Sequence, residues 1–200
     1  LSDGDVIVIA HKIVSKAEGR LIHLSKVLPS DEARNLSDIT GKDPRLIELI
    51  LQESKEILKV REGLIIVRHR LGFVCANAAI DQSNAGKGGA ILLPENPDRS
   101  AKQICKLIKS ELGKDVAVII NDSHGRPFRE GAVGVAVGIA GIKPLLSYVG
   151  KTDRYGYIMR SSVETIADEM ASAATLLMGQ SDESRPVVII RGYSYESSDD

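Results

Sequence analysis

Tryptophan is absent from this 200-residue chain and aromatic residues amount to 4% of it, so any core it builds is aliphatic. At 43% hydrophobic, the chain has material for such a core, in one large domain or two small ones. Cysteine is scarce too. Cys75 and Cys105 lie far apart in no CxxC pattern, which excludes a disulfide framework and leaves two buried free thiols as the simplest reading. The four histidines, His11, His23, His69 and His124, are scattered and no HExxH occurs, so a zinc site is not expected. No signal-peptide pattern is seen and no apolar run is long enough to span a bilayer. The most apolar window, Ala132 to Ile142, is short and broken by Gly134, Gly138 and Gly141. Neither charge sign dominates. A formal net charge of -1 gives no global reason to bind nucleic acid or an anionic membrane. The expectation is a cytoplasmic protein with no nucleic-acid or membrane partner.

Several nucleotide and hydrolase motifs are also missing. No GxGxxG follows a strand-like run and no GxSxG elbow occurs. Gly150-Lys151-Thr152 has only the end of a phosphate-loop motif, with Leu145 where its first glycine should stand. The chain opens at Leu1 without a methionine and almost directly before a strand, so a preceding segment is expected.

What is present reads as follows. Val6 to Ala10 is a buried strand, followed by a polar segment, HKIVSKAEGR, that carries Lys12 and Lys16. Asp43-Pro44 is a helix start, a capping carboxylate with proline at the first helical position. Leu46, Ile47, Ile50, Leu51, Ile57 and Leu58 then recur at helical spacing. Leu64 to Val67 and Gly72 to Ala76 form a candidate hairpin around Arg68-His69-Arg70. Ser100 to Leu112 is an amphipathic helix, with Ile104, Leu107 and Ile108 inward and lysines outward. Val116 to Ile120 is a second buried strand. A helix from Val163 to Met178 ends at Gly179 in the left-handed conformation. Val187 to Ile190 is a last strand, and the closing SYESSDD is expected to fray. Helices and strands are interspersed without regular alternation, which predicts an α+β fold of mixed sheets with packed helices.

Two stretches carry chemistry. In VAVIINDSHGRPFREG, residues 116–131, the apolar strand runs straight into Asp122, Ser123 and His124, then Arg126 and Arg129. In AAIDQSNAG, residues 78–86, an apolar run leads into Asp81, Gln82, Ser83 and Asn84. Carboxylate, hydroxyl and amide oxygens suit hard divalent cations such as magnesium or manganese. The plainer alternative is that each aspartate caps a turn. Cations then suggest phosphate, and Lys12, Lys16, Arg126 and Arg129 follow apolar strands where they could meet it. Taken singly, each of these cations also reads as solvated surface charge.

Seven stretches occur in order: GDVIVIAHKIVSKAEGR, LGFVCANAAIDQSN, LLPENPDRSA, NDSHGRPFREG, VGVAVGIAG, DRYG and LLMGQ with PVVIIRG. Together they resemble the coenzyme F420:L-glutamate ligase (F420 γ-glutamyl ligase) family over nearly the whole chain. The resemblance implies a single ligase domain over residues 1–200, with an N-terminal segment and the C-terminal end lacking, and a family-specific fold forming an intertwined homodimer. It implies a GTP-dependent enzyme that joins L-glutamate to the carboxylate of the unglutamylated coenzyme F420 precursor and then adds further γ-linked glutamate. GTP would be the co-substrate, with two divalent cations, Mg2+ or Mn2+, and a monovalent K+. By position in the motifs, Asp81 would hold metal, as would Asp122 with Ser123, where the family has threonine. His11, Lys12, Lys16 and Asn84 would approach the nucleotide. Met178, Gly179 and Gln180 would line its site, with Gln180 also reaching a metal. The family's upstream Gly-Leu-Pro stretch has no match here.

This chemistry agrees with the residues. A carboxylate is a poor acyl donor until phosphorylated, and phosphoryl transfer needs charge neutralisation and positioning above all. Lys16 and Arg126 are the residues expected to offset phosphate charge catalytically. A non-catalytic metal-dependent nucleotide-binding module and a metal-dependent phosphohydrolase are the rival readings of the same residues. The small-residue run from Gly131 to Gly141 is expected to allow close backbone approach, in support of the dimer.

Overall fold

The computed structural model describes residues 1–198. In chain order it contains β1 (Val6–Ala10), α1 (His11–Ala17), β2 (Leu21–His23), α2 (Asp31–Thr40), α3 (Pro44–Gln52), β3 (Ser54–Arg61), β4 (Leu64–His69), β5 (Val74–Ala76), β6 (Gly89–Ile91), α4 (Pro97–Leu112), β7 (Ala117–Arg126), β8 (Arg129–Ala140), β9 (Leu145–Ser147), β10 (Val163–Thr165), α5 (Ile166–Met178) and β11 (Val187–Ile190). Short 3-10 turns lie at Leu24–Lys26 and Asn77–Ala79. Helices and small mixed sheets make this an α+β fold. They group into two compact units. Among the described residues, no helix is long and apolar enough to cross a membrane.

The first unit holds residues 1–10, 97–123 and the chain from 134 onward. Its sheet has the order β11-β1-β7-β8. β1 pairs parallel to β7, with Val6 opposite Ala117 and Ala10 opposite Asn121, and antiparallel to β11, with Val6 opposite Ile190. Val6, Val8, Ala117 and Ile119 are fully buried, which is why both strands are continuous apolar runs rather than alternating ones. α5 packs Ile166, Met170, Ala171, Ala174 and Met178 into this core at helical spacing. Its cap is Thr165, whose Oγ1 accepts from Asp168 N, while Asp168 Oδ1 accepts from Ala136 N of β8 at 2.8 Å. Val163–Thr165, expected as the first turn of that helix, is instead β10, paired with β9. At its end Gly179 has φ 73° and ψ -170°, so glycine is required there but the residue is not the expected left-handed cap.

The glycines of β8 are where close approach matters. A Cβ at Gly134 would stand 2.2 Å from Thr175 Oγ1, and one at Gly138 would stand 2.4 Å from Pro97 Cβ. The small-residue run lets α5 and the start of α4 lie directly on the strand. On α4, Leu107 is 60% exposed rather than inward, and Cys105 is half-buried rather than buried. The closing segment is anchored as far as Glu196, whose carbonyl accepts from Lys143 N at 2.9 Å, and Tyr195 packs against the core. Residues 199 and 200 of the segment expected to fray lie outside the described residues.

The second unit holds residues 11–96 and 124–133. It contains the antiparallel sheet β3-β4-β5, the pair β2-β6, and helices α1 to α3. The expected hairpin is β4 and β5. Asp43 caps α3 as expected, its Oδ1 accepting from Arg45 N at 2.8 Å, with Pro44 in the first turn. The helix stops at Gln52, and Ile57 and Leu58 lie in β3. Glu53 is the reason. Its carboxylate meets Arg20 at 2.7 Å, Arg70 at 2.8 Å and His69 at 3.6 Å, and its carbonyl accepts from Arg70 N. Burial alone pushes this carboxyl up, but the contacts with His69, Arg20 and Arg70 outweigh it and hold the pKa at about 2. HKIVSKAEGR, read as a polar segment, forms α1, with His11, Val14 and Ser15 buried.

Candidate functional site

The second unit supplies a cluster of cations and oxygens. Lys12 and Lys16 stand one turn apart on α1, on the same helix face. Lys12 Nζ lies 2.7 Å from Asp81 Oδ2 and donates to Ser83 Oγ at 2.5 Å. Lys16 Nζ donates to the carbonyl of Asn84 at 2.6 Å. Asp81 Oδ1 in turn accepts from Ser83 N at 2.7 Å, closing a local turn. Burial raises the Asp81 pKa, and the bonds from Lys12 and Ser83 more than reverse this, leaving the carboxyl below its ordinary value.

The apolar run that leads into Asp81 is a turn rather than a strand. Asn77, Ala78 and Ala79 all have positive φ, between 50° and 53°, a single left-handed turn that non-glycine residues rarely adopt. Asn77 Oδ1 pins it to β4 by accepting from Ile65 N at 3.1 Å. Asp81 then pairs with Ile91 through bonds of 3.0 and 2.7 Å, which fixes the direction in which its carboxylate leaves the chain. Asn84 has φ 56°, which its short amide side chain tolerates. His11 is buried, its Nδ1 3.4 Å from Ser15 Oγ. Arg126 Nε is buried without a hydrogen bond among the described residues. His124 lies in ring contact with Phe73, which stacks on His69.

The first unit supplies a second set. NDSHGR is not a loop beyond a strand end: β7 continues through Arg126 because β8 lies beside it. Ser123 Oγ and Gln180 are joined by two bonds, of 2.8 and 3.1 Å. Asp122 Oδ1 accepts from Ser123 N at 2.7 Å. Gln180 follows the sharp exit from α5 at Gly179, and Met178 is buried, its Sδ 3.6 Å from Asn121 Nδ2. Asn121 and Thr175 were missed by sequence reasoning. Asn121 is buried, donates from Nδ2 to Thr175 Oγ1 at 2.8 Å and leaves Oδ1 without a hydrogen bond among the described residues. Its signal was there: it is the first polar residue after a buried run.

Among the described residues, no group of three or more histidine, cysteine or acidic side chains gathers. Each set instead offers one carboxylate with neutral oxygens: Asp81 with Ser83, and Asp122 with Ser123 and Gln180. All are hard donors. Magnesium and manganese fit such sets, because they bind through one or two carboxylates and take their remaining ligands from phosphate and water.

Hard-oxygen donors and lysine ammoniums are the groups by which hard cations and phosphate are bound. Comparison with known proteins narrows this reading. Residues 1–192 match the sequence profile described as F420-0:Gamma-glutamyl ligase. The Coenzyme F420:L-glutamate ligase of Methanothermobacter thermautotrophicus is 53% identical over 195 residues, covering 98% of this chain and 77% of that protein. Those of Methanopyrus kandleri, 50% identical over 196 residues, and Methanocaldococcus jannaschii, 51% over 192, cover 98% and 96% of this chain and 78% and 77% of their own lengths. The chain belongs to the F420-0:gamma-glutamyl ligase family.

Proposed function

We propose that this protein joins L-glutamate to the carboxylate of the unglutamylated coenzyme F420 precursor and then extends the product with γ-linked glutamate. The observation that carries this reading is the family match across nearly the whole chain, with ligases at 50% identity and above. GTP is the co-substrate in this reading. The acceptor's carboxylate oxygen attacks the γ-phosphorus, GDP leaves, and an acyl phosphate forms. The glutamate amine attacks its carbonyl carbon, phosphate leaves with the C–O bond, and the nitrogen loses a proton. Divalent cations, Mg2+ or Mn2+, would neutralise the transferring phosphoryl group when bound. Asp81 in one set, and Asp122 with Ser123 and Gln180 in the other, would hold them. Lys12 and Lys16 would bind phosphate oxygens as point charges, Lys16 and Arg126 would offset the charge that develops, and His11, Asn84, Met178 and Gly179 would line the nucleotide. K+ would assist as a monovalent cofactor, and the protein would act as a homodimer, checked by light scattering at micromolar concentration.

The test is incubation with GTP, manganese, L-glutamate and the deazaflavin precursor, with the products weighed by mass spectrometry. A product heavier by one or more glutamyl residues is expected. Phosphate release that needs no glutamate would instead identify a phosphohydrolase, and binding without turnover a nucleotide-binding module. Either result overturns the ligase reading.

A further inference from the structure

Lys12 holds the same carboxylate oxygen that a cation on Asp81 would need. Its ammonium lies 2.7 Å from Asp81 Oδ2 and is steadied at 2.5 Å by Ser83 Oγ. The other oxygen, Oδ1, already accepts from Ser83 N. A divalent cation would sit about 2.0–2.6 Å from its ligand oxygen. An ammonium kept on that oxygen would face it at roughly 3–4 Å with like charge, and such a pair repels strongly where water is partly excluded. One of the two must leave. The ammonium is the one built to move, a point charge on a flexible four-carbon stem at the edge of the site, its side chain 21% exposed. Lys16 differs. It has equal charge one turn along the same helix, but it rests on the neutral carbonyl of Asn84 and competes for no carboxylate.

We infer that Lys12 is a stand-in cation for Asp81, and that nucleotide and metal binding are coupled through it. The ammonium neutralises Asp81 until a phosphate-bearing ligand offers a richer anion. Its transfer to that ligand then frees Oδ2 for the metal. The nucleotide therefore prepares the metal site, and the metal favours the nucleotide by the same factor, as any coupling between two sites must be reciprocal. The identity of the phosphate donor as GTP and the seating of a metal on Asp81 rest on the ligase reading; the repulsion between the Lys12 ammonium and any cation on that carboxylate does not.

The experiment is Mn2+ binding, read from the electron paramagnetic resonance signal of free manganese, on the full chain and its variants with no turnover required. In the absence of nucleotide, Lys12→Met should tighten Mn2+ binding by about tenfold or more, the scale on which a close cation alters a carboxylate's affinity for positive charge. Lys12→Arg, which keeps the charge, should stay near wild type, and Lys16→Met should change binding by less than about threefold. Adding Asp81→Asn to Lys12→Met should abolish the gain. With GTP present and chelation by free nucleotide subtracted, the affinity gain should be larger in wild type than in Lys12→Met. Circular dichroism checks that each variant folds, and Lys12→Gln replaces Lys12→Met if the latter does not. Mn2+ binding to Lys12→Met that is no tighter than wild type overturns the inference, as does a gain that survives Asp81→Asn or is matched by Lys16→Met. Glutamylation by the wild-type protein is scored separately, so either claim can fail while the other stands.

Discussion

Glu53 is the point at which the second unit's stability is most exposed to charge. Its side chain is 8% exposed and meets Arg20, Arg70 and His69, which come from two separate parts of the chain. The carboxyl sits at about 2 against an ordinary 4.5. At 1.36 kcal/mol per pKa unit, this difference corresponds to roughly 3 kcal/mol of stability. Glu53→Gln keeps the shape and removes the charge. Breaking a fully buried pair from one side costs about 3–5 kcal/mol. Arg20 and Arg70 retain 23% and 26% of their exposure, so water compensates them in part and the low end, about 3 kcal/mol, is expected. With no tryptophan to report on unfolding, urea transitions are followed by far-UV circular dichroism. The sign is definite. A carboxylate with a depressed folded pKa stabilises fully above its unfolded pKa and loses that contribution as pH falls through the folded one. The wild-type advantage over Glu53→Gln should therefore be full near neutrality and shrink between about pH 5 and pH 2. A cost under about 1 kcal/mol near neutrality, or an offset that does not change with pH, would refute the reasoning.

Two further outcomes follow from the geometry. Gly134→Ala and Gly138→Ala would each drive a Cβ into α5 or the start of α4, and overpacking of this kind costs about 1–3 kcal/mol. Gly125→Ala, with nothing within 4 Å of its Cβ, should stay within about 0.5 kcal/mol in the same melts. Under the proposed function, Asp122→Asn should lower kcat by about 10²–10³, as the loss of an electrostatic contact to a transition state does, with a smaller change in KM for GTP. Turnover near wild type with metal still bound would remove Asp122 from that role.

Local chemistry made part of this protein legible. Val6–Ala10 and Val116 to Ile120 are strands by composition alone, because burial on both faces leaves only β-branched and aliphatic residues, whereas Val187–Ile190, with Val187 and Ile189 exposed, is legible from its β-branched residues. Asp43-Pro44 announces α3, because the capping carboxylate, the proline and the amide they serve lie within three residues of one another. α2 carries Ser30, Asp31, Glu32 and Gly41 at its ends and is still not legible in the sequence, since only Ala33 and Thr40 are buried and the segment holds few apolar residues. α1 carries no such signal in its seven residues. The stop of α3 at Glu53 depends on partners from elsewhere in the chain, and so does the extension of β7 through Arg126. The motifs around Asp81 and Asp122 marked where chemistry belongs, because residue type alone identifies hard oxygen donors. What no stretch of sequence contained is the pairing of Lys12 with Asp81 and Ser83, the latter 71 positions away, or of Ser123 with Gln180, 57 positions away. Those contacts form only once packed helices and paired strands have met the entropy of closing the loops between them, so tertiary structure alone decides which donor meets which charge.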